Sequence, residues 1–220
     1  MYPRCTQISG ILEIGLFSGS NISDVSALSN IQTLTGDLWF WNTNITQLNG
    51  WDMELIGNDV ILRFWDNPFL SSLDGITIAN SASLCGVSIT DSDSMTSIAA
   101  LSGASFTGNC GISIRNNPSL TNLLGLDGFT NSNFGNVEIE NSDVLTDISA
   151  LSNLTGTIGG TLVITSNQLL SDLSPLQGIT DVIGKFMDIS SNPSIVSLNG
   201  MYFIRLETEQ GIATKKNVKK

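Results

Sequence analysis

The sequence predicts an all-β fold, a right-handed parallel β-helix (solenoid) of about eight coils of 25 residues, similar in build to leucine-rich repeats. Three observations point to the solenoid. The chain repeats itself at a near-constant period, each repeat carries apolar residues two apart, and turn-forming residues break every repeat before a long helix can develop.

The repeat is found by aligning GILEIGLF, GDLWFWNTNI, VILRFWDNPFL, CGVSITDSDSM, CGISIRNNPSL, GNVEIENSDVL, GTLVITSNQLL and GKFMDISSNPSI. Their first apolar positions are Leu12, Leu38, Leu62, Val87, Ile112, Val137, Leu162 and Met187, at intervals of 26, 24 and then 25 throughout. Two residues on stands a second column: Ile14, Phe40, Phe64, Ile89, Ile114, Ile139, Ile164 and Ile189. A spacing of two puts both columns on one face of a short strand. A third column runs Leu70, Met95, Leu120, Leu145, Leu170, Ile195, followed at steps of three by columns through Leu73 to Leu198 and Ile76 to Met201. Asn-Pro, Asp-Gly and Ser-Asn pairs interrupt each coil, so these later columns read as bends and extended segments rather than a helix. A single coil cannot bury its own apolar face, and stacking supplies the core.

Asn or Asp follows the first column by four or five residues in most coils, at Asn42, Asp66, Asn67, Asp91, Asn116, Asn117, Asn141, Asn167 and Asn192. At the turn leaving the strand such side chains bond backbone groups that the bend leaves unpaired, and stacked they form a polar ladder. The solenoid is expected over residues 1–204, with 205–220 a degenerate final coil and basic polar tail. Continuing the period from Met187 reaches Ile212, in a vestigial ninth strand whose lysines would blunt the open edge.

Charged residues are only 13% of the chain and the net charge is −11, which argues against nucleic acid and anionic membranes as partners. No apolar stretch is long enough to span a bilayer, although a longer parent could still be membrane-anchored. The opening MYPRCTQISG has no apolar core of a signal peptide, so the chain reads as a mature domain or an excised piece.

There is no histidine. That removes the usual general base and the commonest zinc ligand, and with them the ordinary hydrolase triads. Two carboxylate pairs are candidates for acid–base work: Glu138 with Glu140 on one strand, and Asp91 with Asp93 at a turn. No arginine or aromatic residue is evident beside either pair, and the expectation is a solvated acidic face, no catalytic residue, no metal and no cofactor. The chain is not expected to be an enzyme.

The outward strand positions carry the functional signal. One past the first column they read Glu13, Trp39, Arg63, Ser88, Ser113, Glu138, Val163, Asp188; three past it they read Gly15, Trp41, Trp65, Thr90, Arg115, Glu140, Thr165, Ser190. Neighbouring parallel strands lie about 4.8 Å apart, so Trp39, Trp41, Arg63 and Trp65 should touch on an exposed face. Trp and Arg are favoured anchors of binding surfaces, while a cap or loop covering the patch is the alternative. Trp51 falls in a bend column and should be buried.

Cys85 and Cys110 are one coil apart and each precedes its core column by two, where other coils carry Gly10, Gly36, Gly135 and Gly160. Stacking brings them within disulfide range, and they form either a bridge or two buried thiols. Cys5 is left over, and Asn21, Asn44 and Asn153 head glycosylation sequons.

The pattern G-x-L-x-I-x-x-N-x-x-L-x-x-L-x-x-L, with CTQISGILEI at the start, resembles the receptor L-domain family over residues 5–204. The resemblance implies a right-handed β-helix, an extracellular or cell-surface location, and recognition of another macromolecule. It also tilts the cysteine pair towards a disulfide. The expected function is therefore a non-catalytic recognition domain that binds a protein or glycan near coils two and three. A structural cell-wall, matrix or adhesion role is the alternative. A carbohydrate-active enzyme ranks third, and an ice-binding solenoid fourth because the outward columns are chemically mixed.

Overall fold

The computed structural model describes residues 5–182, 186–196, 203–208 and 211–216, the last two ranges by backbone alone. Each coil contributes one strand to an eight-stranded parallel sheet. The strands are β1 (Leu12–Gly15), β2 (Leu38–Trp41), β3 (Val60–Trp65), β4 (Ser83–Thr90), β5 (Ser105–Arg115), β6 (Asn136–Glu140), β7 (Leu162–Thr165) and β8 (Met187–Asp188). They lie side by side in chain order, with Leu12, Leu38, Leu62, Val87, Ile112, Val137, Leu162 and Met187 in register. The fold is a parallel β-solenoid.

Register follows from the period because a stacked coil presents the same position to its neighbour once per turn. The second column is buried from Ile14 to Ile164, and the bend columns through Leu70, Leu73 and Ile76 close the other sides of one continuous core. Leu198 and Met201, expected to extend those columns, lie outside the described residues. Ile114 is completely buried, whereas its neighbour Ser113 points outward. Ile114→Ala should therefore cost about 2 to 5 kcal/mol, and Ser113→Ala less than about 0.5 kcal/mol. Urea denaturation of the two variants checks this; comparable losses would move the strand frame by one residue.

The bends contain more regular structure than their sequence announces. Gln7–Ile8, Thr33–Leu34, Met53–Leu55 and Ile76–Ile78 form a second parallel sheet, and Gly156–Ile158 pairs with Ile179–Val182. Single 3-10 turns occupy Ser26–Leu28, Ala99–Leu101, Ser149–Leu151 and Ser174–Leu176. Three of them follow an Asp-x-Ser signature: Asp24, Asp147 and Asp172 each accept a bond from the backbone N–H of the serine two residues on. The Ser26 hydroxyl and then its N–H hold Asp24 below the ordinary carboxylate range. The Ser174 N–H and then its hydroxyl do the same for Asp172.

The polar ladder at the strand exits is two ranks rather than one. Asn42, Asp66, Asp91, Asn116 and Asn141 take left-handed backbone with φ between 50 and 56°, which short polar residues tolerate best. The next residue in each coil turns inward, giving a buried rank of Thr43, Asn67, Ser92, Asn117, Ser142, Asn167 and Asn192. Asn67, Asn117, Asn167 and Asn192 each donate from Nδ2 to a strand carbonyl of the preceding coil, at Phe40, Ile89, Ile139 and Ile164.

Among the described residues beyond the solenoid the period does not continue as a parallel coil. Ile212 does lie in a strand, Gly211–Lys216, but that strand pairs antiparallel with Phe203–Thr208 in a separate hairpin. Thr208 faces Gly211 across only Glu209 and Gln210 in sequence, a hairpin-length connection, so local pairing replaces a ninth turn.

Candidate functional site

The outward face of the eight-stranded sheet brings Trp39, Trp41, Arg63 and Trp65 together. Trp39 is in register with Arg63 and Trp41 with Trp65. The Arg63 guanidinium lies 4.6 Å from the Trp39 ring centroid and 6.0 Å from that of Trp65, both cation–π contacts. Trp41 and Trp65 meet edge to face with centroids 4.5 Å apart, and Trp39 meets Trp41 in the same manner at 6.0 Å.

The four are not equally exposed. Trp65 retains 37% of its surface, Trp39 and Arg63 are half-buried, and Trp41 is buried at 5%. The expectation that Trp41 is open to solvent is thus corrected. Its cover is Phe17, whose ring centroid lies 4.3 Å away. Gly15 makes this possible: it stands beside Trp41 with φ +107°, and a Cβ there would fall 1.8 Å from the Trp41 carbonyl oxygen. The chain then turns back over the sheet, with Leu16 N bonded to Trp41 O and Ser20 N to Asn42 O. Trp51, by contrast, is buried as expected, and its Nε1 donates to Ile31 O at 3.1 Å.

Beside the aromatic cluster the face sinks into two adjoining depressions of about 330 Å³ each. They share Trp65, Ser88, Ser113 and Arg115. One continues over Thr90 to Phe17, Asp66 and Asp91; the other over Gly86 and Gly111 to Arg63, Cys110 and Glu138. The floor is made of small residues because β4 and β5 place Gly86 beside Gly111 and Ser88 beside Ser113. Trp65 leans onto this floor, donating from Nε1 to Ser88 Oγ at 2.6 Å.

The opposite wall is an ion-paired cluster. Arg115 Nη2 lies 3.0 Å from Glu138 Oε2, and its Nε lies 2.8 Å from Glu140 Oε1. This overturns the expectation that the two glutamates are a solvated acidic face with no arginine near them. The signal is in the sequence, since Arg115 and Glu140 occupy one outward column in successive coils, but it lies across strands rather than along one.

Cys85 and Cys110 are joined by a disulfide, with Cα atoms 5.1 Å apart. Their strands pair there through a bulge, with Thr107 through Cys110 opposite Cys85 alone. The bulge is fixed to coil three as well, since Thr107 Oγ1 donates to Asp59 Oδ1 at 2.7 Å. Cys110 thereby borders the second depression. The Cys5 thiol is free and contacts the carbonyl of Gln7. Asn21, Asn44 and Asn153 are all exposed. Among the described residues no three Cys, Asp or Glu side chains converge as a metal site, and no helix is long and apolar enough to cross a membrane.

Comparison with protein-family models, with curated proteins and with solved structures gives no match for this chain.

Proposed function

We propose that this solenoid is a non-catalytic recognition module of the extracellular or cell-surface kind, which binds its ligand on the outward face of the eight-stranded sheet. The observation that carries the reading is Trp65, an indole left 37% exposed at the lip of a depression floored by serines. Exposed Trp beside a concave, mostly apolar depression with a few hydroxyls is the composition of a binding anchor rather than of ordinary surface. The centre of the site therefore shifts from coils two and three towards coils three to six. Trp39 and Trp41 serve as its buttress and Trp65 as the contact.

Two further features support the reading. Glu138 and Glu140 are both engaged by one guanidinium, so neither stands free as a general acid or base. The disulfide and the exposed sequons suit an oxidising, secreted environment.

The experiment is to screen wild-type protein on glycan and cell-surface-protein arrays beside Ser88→Trp, which fills the depression. Binding that disappears in Ser88→Trp, with the melting temperature kept, is the expected result. Ligands retained by the filled variant would place recognition elsewhere.

A further inference from the structure

We infer that the depression is one groove along β4 that binds a stretch of a neutral linear glycan. This rests on the strand-face reading above and adds the class of ligand. The two depressions share four residues and so form a single trough. It runs from Gly86 to Asp91, which at about 3.3 Å per residue is about 16 Å. At one extremity Asp91 is exposed at the rim, while at the other Gly86 and Gly111 are themselves buried beside Ile61, Cys110 and Asn136. A chain can enter such a trough over the Asp91 rim and lie along its floor.

The lining selects the chemistry. Trp65 offers an aromatic platform for the apolar face of a sugar ring, Thr90 and Ser113 offer hydroxyls that both donate and accept, and the Ser88 hydroxyl, which accepts from Trp65, can still donate. An extended peptide is less well served. The backbone of β4 is paired on both sides, with β3 and β5, so no free strand edge is available for a peptide to join.

Charge narrows the class further. Of the two guanidiniums that line it, Arg115 in the wall is matched by Glu138 and Glu140, and Asp66 and Asp91 stand at the rim. Arg63 is turned over the Trp39 ring. A polyanionic glycan would meet net negative charge on a chain that carries −11 overall. Neutral glucans, mannans, xylans or chitin would not.

The test is calorimetric titration with disaccharides through hexasaccharides of those four polymers, and with polyuronate oligosaccharides of the same lengths. Affinity for one neutral series should rise at least about tenfold from disaccharide to hexasaccharide. It should be lost in both Ser88→Trp and Trp65→Ala, with folding checked by melting curves. Binding that is independent of length, or that favours the uronates, overturns the inference. A protein ligand blocked by Ser88→Trp, with no neutral glycan bound, would overturn the glycan assignment while leaving strand-face recognition intact. Binding of any kind that both variants retain would overturn the two together.

Discussion

Asn67→Ala is expected to destabilise the solenoid by about 3 to 5 kcal/mol, more than any surface change and about as much as losing a large core side chain. Asn67 is fully buried between coils two and three, and its amide is used from both ends. Oδ1 accepts from the Thr43 N–H at 3.2 Å and from the Thr43 hydroxyl at 2.7 Å; Nδ2 donates to Phe40 O at 3.1 Å and Trp65 O at 3.0 Å. Removing the amide takes the acceptor from the buried Thr43 N–H and hydroxyl and one donor from the Phe40 carbonyl, while the Trp65 carbonyl keeps its bond from Asn42 N. Desolvated groups without partners are costly.

Asn117 is the internal control. It occupies the same rank two coils on and is equally buried, but it makes one bond, from Nδ2 to Ile89 O, and its Oδ1 has no partner among the described residues. Asn117→Ala removes the same volume, so the difference between the variants isolates the hydrogen bonding. Urea midpoints should place Asn117→Ala at about half the loss of Asn67→Ala or less. Equal losses would mean that the rank stabilises by filling space.

The buried rank also shows how far a repeat period reaches. A period of 25 dictates which residues meet across coils, so the register of all eight strands, the core columns and the approach of Cys85 to Cys110 are legible in the amino-acid sequence itself. Alternation in, out, in along each strand then places Trp39, Arg63 and Trp65 on one face. Features outside the columns are not legible in this way. Phe17 sits in a turn after Gly15, where no periodicity says that the chain folds back over Trp41. The second sheet is built of strands of two or three residues, and the separate pair Gly156–Ile158 with Ile179–Val182 of three and four, too short for an alternation to show. The 3-10 turns do leave a signal, in DVSAL, DISAL and DLSPL, but it is local turn chemistry that the apolar columns do not carry. The groove needs both kinds of information, because its floor is set by columns and its walls by how Trp65 and Arg115 lie across them.

Trp51→Ala and Trp41→Ala should both destabilise, and by different amounts. Trp51 is in the solenoid interior at 2% exposure, edge-on to Phe40 with centroids 6.2 Å apart, and its indole N–H is bonded. Its loss opens a cavity in the core beside Phe40 and frees the Ile31 carbonyl, for about 3 to 5 kcal/mol. Trp41 lies on the outward face, held only by ring contacts, and its Nε1 finds no acceptor among the described residues. Phe17, at 75% exposure, and Trp65 can settle into the space it leaves, so about 2 kcal/mol is expected. At about 2 to 4 °C per kcal/mol for a chain of this size, the two melting losses should be about 12 °C and about 6 °C. Phe17→Ala should scarcely change the melting temperature, since little of that ring is buried. It should nevertheless shift the tryptophan emission to longer wavelength and raise its quenching by acrylamide, because Trp41 loses its cover. If Trp41→Ala instead melts like the wild type and Phe17→Ala leaves the emission unchanged, Phe17 is not seated on the face. Trp41 would then rejoin Trp65 as ligand-contacting surface.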